Sequence, residues 1–280
     1  MPVVFVGHGS PMNAIDDNRY TRVWRAIGES VPRPRAVLVV SAHWFIGYTA
    51  VTAMTRPRTI HDFFGFPEAL FAVDYAAPGD PDVAKEVVEA VKPRFTGLDH
   101  DSWGIDHGAW SVLVHMFPKA DIPVLQLSIN AVKDLAYHVD LAARLATLRR
   151  QGVLIVASGN VVHNLRRLNM QQREEPFDWA QRFDDAARTI MTEAPENVLS
   201  LAQHADFSSA VPTTEHFIPL LYVAALASQA SKRASVLVDG YFAGAISMTA
   251  YGIDVPCPPE RGGGPSAELP ERVPPEHTNI

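Results

Sequence analysis

Imidazoles are the side chains that invite chemistry in this 280-residue chain, which carries eleven of them. Three stand just beyond short aliphatic runs: His8 after VVFV at 3–6, His43 after AVLVV at 36–40, and His163 after VLIVAS at 153–158. Small residues (Gly7, Ala42 and Gly159) make room nearby. A neutral imidazole is a ligand suited to Zn and Fe, and its ordinary pKa also makes it a proton carrier near neutral pH. Three of them at equivalent strand ends point to a metal site with open coordination positions, with any unused imidazole left for proton transfer. Two more candidates come from loops and helix starts. His107 lies in SWGIDHGAW, where glycines and Asp106 free the backbone to aim a side chain, and His216 lies in PTTEHFIPLL. In the latter, Thr213 or Thr214 reads as an N-cap that places Glu215 and His216 in a helix's first turn, with Glu215 a favourable charge on the helix dipole. The other histidines read as surface or satisfied core: His115 and His138 on helical patterns, His100 and His204 in polar stretches, His277 near the C-terminal end.

The elements that must position this set follow from the pattern. The runs at 3–6, 36–40 and 153–158 are nearly continuously apolar, as suits strands covered on both faces, and PVLQLSI at 123–129 is a fourth strand. Between them, PDVAKEVVEAVKPRF and KDLAYHVDLAARLATLRRQG repeat apolar residues at helical spacing, the second with Gly152 as its stop. Alternation of this kind predicts an α/β fold: a single domain with a largely parallel central sheet flanked by helices. Ligands of such sheets bind at the carboxyl ends of the strands, where His8, His43 and His163 stand, so the metal site is expected there. A helix-rich stretch follows at 177–228, and SVLVDGYFAGAISMTAYGIDV reads as one or two late strands. We place the catalytic domain at 1–255. Residues 256–280, rich in Pro, Gly and Glu, read as a flexible tail.

Composition removes several classes of function. A formal net charge of −7 without a dense basic block argues against nucleic acid and anionic membrane surfaces as partners. The longest apolar stretch, FIPLLYVAALA, is well short of the ~18 residues of a membrane span. No basic n-region precedes the first apolar run, and the lone Cys257 excludes an intrachain disulfide, so a cytoplasmic location is expected. Cysteine catalysis is disfavoured by the place of Cys257 in the tail. No Gly-x-Ser-x-Gly elbow supports a serine hydrolase, and no glycine-rich phosphate loop supports nucleotide binding.

Six blocks then align with a known pattern: GHGSPMNAI, VSAHWF, TIHDFFGFPEALF, DHGAWSVL, ASGNVVHNL and TTEHFIPLL. In this order, from His8 to about Gly252, they resemble the DODA-type branch of the class III extradiol ring-cleavage dioxygenases. The resemblance implies an α/β domain whose metal sits at strand ends. It implies His8 and His43 as ligands, His216 as the third, and His163 as the acid/base or a fourth ligand, with acid/base preferred. It implies that His107 contacts substrate or bound oxygen. His61 and Asp62 fall in a block that lines the pocket or forms a structural turn. Many class III enzymes instead use two histidines and a carboxylate. Here Glu215 and His216 are adjacent, about 100° apart on a helix, so one of the two reaches a metal. The expected activity is Fe(II)-dependent cleavage of a catechol by O2 to a ring-opened semialdehyde. Three histidines also make a zinc site. The alternatives are a zinc hydrolase, with the metal activating water, and a non-catalytic binding protein on the same scaffold. Trp44, Phe63, Phe64 and Trp103 are candidate ring contacts, with core packing the preferred role for each.

Overall fold

The computed structural model describes residues 1–256, 265–270 and 273–280. Cys257 lies outside them. Strands run in chain order as β1 (Val3–Gly7), β2 (Ala36–Ile46), β3 (Ala50–Thr52), β4 (Gly97–Asp99), β5 (Val124–Asn130), β6 (Val153–Gly159), β7 (Ser235–Val238), β8 (Tyr241–Phe242), β9 (Ile246–Ser247) and β10 (Ala250–Ile253). The helices are α1 (Arg19–Ser30), α2 (Glu68–Phe71), α3 (Pro81–Ala90), α4 (His107–Met116), α5 (Leu135–Arg144), α6 (Ala146–Arg150), α7 (Asp178–Glu193), α8 (Phe207–Ala210) and α9 (Ile218–Gln229).

Eight strands form one sheet in the order β4-β3-β5-β2-β6-β1-β10-β7. Its centre, β5-β2-β6-β1, is parallel, and these are the four runs expected from sequence. Both faces are covered. Val3, Phe5, Leu38 and Ile155 pack on the side of α3, α5 and α9, while Val4, Val6, Val39 and Val156 pack on the side of α1 and α4. This double burial explains the lack of polar alternation in the strands. Four helices begin where carboxamide or carboxylate side chains satisfy free amides: Asn18 caps α1 in a reciprocal pair with Thr21, and Asp80, Asp106 and Asp134 cap α3, α4 and α5.

Three expectations change. The segment 133–152 is two helices, α5 and α6, meeting at Leu145. The late segment 235–253 holds four strands: β10 extends the sheet antiparallel to β1, β7 pairs antiparallel with β10 at the edge, and β8 and β9 form a separate ladder. The reading of 256–280 as a tail without packing does not hold for its described part. Ser266, Ala267, Leu269, Thr278 and Ile280 are buried. The Ala267 amide donates to Asn13 Oδ1, which ties this segment to the loop after β1. A handful of apolar residues thus finds room on a finished surface, which average composition does not reveal.

Candidate active site

Neighbouring strands deliver the first three imidazoles. β1 ends at Gly7 beside Gly159 of β6, and His8 follows, its amide bound to the Gly159 carbonyl at 3.2 Å. His43 lies within β2, which runs six residues past the expected end at Val40 to Ile46. Pairing with β5 is irregular between Val40 and Phe45, and His43 occupies that irregularity. Such a bulge re-aims a side chain without ending the strand. His163 sits in the loop after β6, its amide bound to Ala210 O at 2.8 Å.

His107 and His216 join them. His107 opens α4, whose cap Asp106 is held by Ser41, Gln126 and the Ala109 amide at 2.7, 2.7 and 3.1 Å. Burial and the neighbouring Asp62 push the Asp106 carboxyl up to about 6, against the lowering effect of the Gln126 and Ser41 hydrogen bonds. His216 lies in the turn before α9 rather than in the helix, which starts at Ile218. Its carbonyl accepts the Asn160 amide at 2.9 Å, which fastens this turn to the end of β6. The expected dipole role of Glu215 therefore gives way to a direct one: its Oε1 lies 3.4 Å from His216 Nδ1 and accepts the Thr213 hydroxyl at 2.6 Å. Burial raises the Glu215 carboxyl, but His216 and Thr213 outweigh it and hold it at about 2.

The five rings form one cluster. Centroids of His8 lie 5.1 Å from His43, 5.4 Å from His216 and 6.0 Å from His107; His43 and His107 are 3.8 Å apart, and His163 stacks on His216 at 3.6 Å. The Nε2 atoms of His8 and His43 face each other at 3.1 Å. Burial first, and then the other imidazoles, carry the pKa values of His8, His43 and His163 well below the ordinary 6.5, so these rings are neutral.

Proton placement on His8 can be derived. The Ser158 hydroxyl gives its one proton to the Gly108 carbonyl at 2.5 Å, so towards His8 Nδ1, 2.9 Å away, it can only accept. His8 is therefore protonated on Nδ1 and presents a lone pair at Nε2. The ionised Glu215 accepts from His216 Nδ1 and leaves Nε2 as the ring nitrogen facing away from it. On the other side Asp62 accepts the His107 amide at 3.0 Å, lies 2.9 Å from His107 Nδ1 and 3.7 Å from His43 Nδ1. Burial alone would raise the Asp62 carboxyl; the His107 ring and amide hold it below the ordinary value.

This donor set fits a metal. Ligand nitrogens of His8, His43 and His107 lie within 4.8 Å of one another. Among the described residues, the buried Nε2 atoms of His107 and His216 have no hydrogen-bond partner. An unpaired buried nitrogen is costly, and a cation that accepts its lone pair relieves the cost. The compact triad therefore contains His107 where the sequence reading had His216, although His216 lies in the same cluster with an unpartnered Nε2.

A cavity of about 470 Å3 adjoins the rings, lined by His43, His163, His216, Glu215, Phe45 and Ile280. A larger one, about 590 Å3, lies far from the histidines, where Arg149 and Lys232 are both paired with Asp254. The smaller cavity is the one with chemistry beside it. Of the aromatic candidates, Trp44 and Phe63 are buried, Trp44 stacks on Trp103 at 5.7 Å and Phe64 is exposed; none lines this cavity. Phe45 does, and sequence reasoning missed it, along with Ser158 and the orienting role of Glu215. Alternation along β2 was the available signal for Phe45. His115 and His138 are satisfied core residues, bonded to Asn13 O and to Asn130 O and Tyr222, and His61 bonds Val73 O.

Comparison with known proteins agrees with this geometry. Residues 3–250 match the family described as the catalytic LigB subunit of aromatic ring-opening dioxygenase. The chain is 45% identical over 257 residues to the 4,5-DOPA dioxygenase extradiol of Escherichia coli (strain K12), covering 90% of this chain and 94% of that protein. It is 35% identical to the protein of the same name from Beta vulgaris, with 88% and 94% covered. A crystal structure of an uncharacterized protein from Escherichia coli K12 superposes with a TM-score of 0.76 at 41% identity, over 90% of this chain and 99% of that one. No helix among the described residues is long and apolar enough to cross a membrane. Five imidazoles gathered at the ends of a parallel sheet thus belong to a ring-cleaving enzyme: the chain is a member of the LigB family of aromatic ring-opening dioxygenases, in its DODA-type extradiol branch.

Proposed function

We propose that the protein cleaves a catechol, with a DOPA-like or other ring substituent, by Fe(II)-dependent extradiol addition of O2 to give a ring-opened semialdehyde. The observation that carries this reading is the cluster of buried imidazoles, with His8, His43 and His163 neutral and the Nε2 atoms of His107 and His216 unpartnered, beside a cavity of about 470 Å3, a volume suited to a single aromatic ring. His8, His43 and His216 would hold the iron, with Ser158 and Glu215 fixing the tautomers that aim the first and third. Iron so held would supply electron transfer between catecholate and O2, with zinc a competing occupant of a three-histidine site.

The remaining steps belong to side chains. His163 is neutral and lines the cavity, so it can take a proton from a catechol hydroxyl and return it to an oxygen during ring opening. His107 can hydrogen-bond the developing oxygen anion, steered by Asp62. The closeness of its ring to those of His8 and His43 favours a second reading, in which His107 is the third ligand and His216 contacts substrate.

The test is anaerobic loading with Fe(II), then addition of L-DOPA or catechol in air, following O2 uptake and the yellow absorbance of a semialdehyde. Yellow product with Fe(II), absent in zinc-loaded protein and in His163→Ala, supports the proposal. No product across a panel of catechols, with zinc held tightly, overturns it. Metal stoichiometry in His107→Ala and His216→Ala separates the two ligand sets.

A further inference from the structure

Residues 273–280 lie across the candidate site in a way the imidazole chemistry does not require. The segment is fastened at one end to the Asp62 loop. The Phe64 amide donates to Thr278 O at 3.2 Å, and the Asn279 side-chain amide donates to the Asp62 carbonyl. Asn279 has φ of 57°, a left-handed conformation that asparagine tolerates better than most residues, and it turns the amide onto that carbonyl. Gly65, with φ of 82°, lets Val273 close in: a Cβ there would stand 2.2 Å from Val273 Cγ2. Further along, the turn Pro275–His277 rests against the turn Leu165–Arg167 that follows His163. Ile280 is 3% exposed, lines the cavity and brings a main-chain oxygen into hydrogen-bonding reach of the His163 ring.

The segment therefore spans from the loop that steers His107 and His43 to the loop that carries His163. It contributes an apolar wall to a cavity whose inner side is made of imidazoles. A substrate ring presented to those imidazoles has to extend its substituent past this wall.

We propose that residues 273–280 form a strap that sets ring-substituent specificity, with Ile280 as the limiting wall beside His163 and Asn279 as a positioning residue that fixes the Asp62 loop. The Ile280 part rests on the catechol reading above; the Asn279 part does not. Through Asp62, a seated strap also holds His107, so occupancy of the wall and alignment of the site are tied together.

The experiment has two arms on the full chain. In the first, anaerobic Fe(II)-loaded wild type, Ile280→Ala and Ile280→Trp are titrated with catechol and with 4-nitrocatechol, followed by absorbance. Ile280→Trp is expected to lose about tenfold more affinity for 4-nitrocatechol than for catechol, and Ile280→Ala to shift the ratio the other way. In the second arm, hydrogen–deuterium exchange across 59–66 is compared between metal-free wild type and Asn279→Gly, which keeps the positive φ and removes the donor. Faster exchange in 59–66 is expected, together with a severalfold fall in kcat at nearly constant KM for catechol; a merely loosened wall would raise KM instead. An unchanged ligand ratio in both Ile280 variants overturns the wall. Unchanged exchange in Asn279→Gly overturns the positioning role. If neither catechol binds wild type, the catechol reading fails and the role of Ile280 fails with it, while the exchange arm still decides Asn279.

Discussion

The imidazoles of His163 and His216 lie face to face, their centroids 3.6 Å apart and their planes 4° from parallel. An imidazole binds a metal through a lone pair in its ring plane, so an ion in the plane of one ring stands well off the plane of the other. Only one member of the stack can ligate a shared ion, and the geometry argues against His163 as a fourth ligand beside His216. We expect His163→Ala to retain its metal and lose about 10²- to 10⁴-fold in kcat, the usual range for a general acid/base. His216→Ala should lose metal affinity as well. Metal content measured beside turnover distinguishes the two, and metal loss in His163→Ala alone would reverse the assignment.

Asp62 and Glu215 should matter through the rings they steer. Asp62 stands 2.9 Å from His107 Nδ1, and Glu215 stands 3.4 Å from His216 Nδ1. Carboxylates of this kind fix tautomer and orientation, and their loss typically costs about 10- to 100-fold in metal affinity or activity. Asp62→Asn and Glu215→Gln should each fall in that range with unchanged circular dichroism. Metal titration and steady-state turnover of each variant check it.

Gly159 should tolerate no side chain. A Cβ there would stand 2.3 Å from the His216 carbonyl oxygen, which is backbone and cannot swing aside. Gly159→Ala must push the His216 turn away from β6, at a cost of about 1–3 kcal/mol for an overpacked site. Denaturant unfolding reads that cost. Activity should fall by more than the stability loss explains, because the displaced residue is itself in the site.

His138 gives the metal-free protein an acid-sensitive element outside the site. Its Nε2 donates to Asn130 O and its Nδ1 accepts from Tyr222, both at 3.3 Å, which requires the neutral ring. Burial pulls its pKa down from 6.5 to about 4, against small opposing effects of Asn130 and Asp134. Below pH 6.5 the unfolded chain therefore binds more protons at this residue than the folded one. Its contribution is complete above pH 6.5 and is lost as pH falls towards 4, with a slope approaching about 1.4 kcal/mol per pH unit. Unfolding of metal-free His138→Gln across that window should show a shallower decline than wild type; an equal decline would remove His138 as a cause.

Much of the histidine cluster is legible in the chain because His8 and His163 follow strands and His43 lies near the end of one. The runs at 3–6 and 153–157 are uniformly apolar, and a glycine or small residue marks where each gives way to chemistry. His43 joins the cluster from within β2 rather than from beyond its end, since a bulge within β2 leaves no mark on hydrophobic periodicity. Asp62 remained undecided between pocket and turn. Its partner His107 is 45 residues away, and nothing local announces a pairing that only the fold creates. The segment beyond residue 256 misled through its proline and glycine content, which describes how a chain behaves alone rather than what surface is offered to it.

The five imidazoles come from five separate stretches of chain, and the first and last to meet are His8 and His216. No local structure can assemble them. β1 pairs with β6 only after some 150 intervening residues have been placed, and contacts at such separation form late because loop closure precedes any gain from them. The candidate metal site, which needs β1 beside β6 to place His8, is therefore expected to be complete only once this long-range pairing has formed. Ion capture is then expected to report this pairing: a chain arrested with β1 unpaired has helices and hydrophobic contacts, but lacks His8 in the cluster.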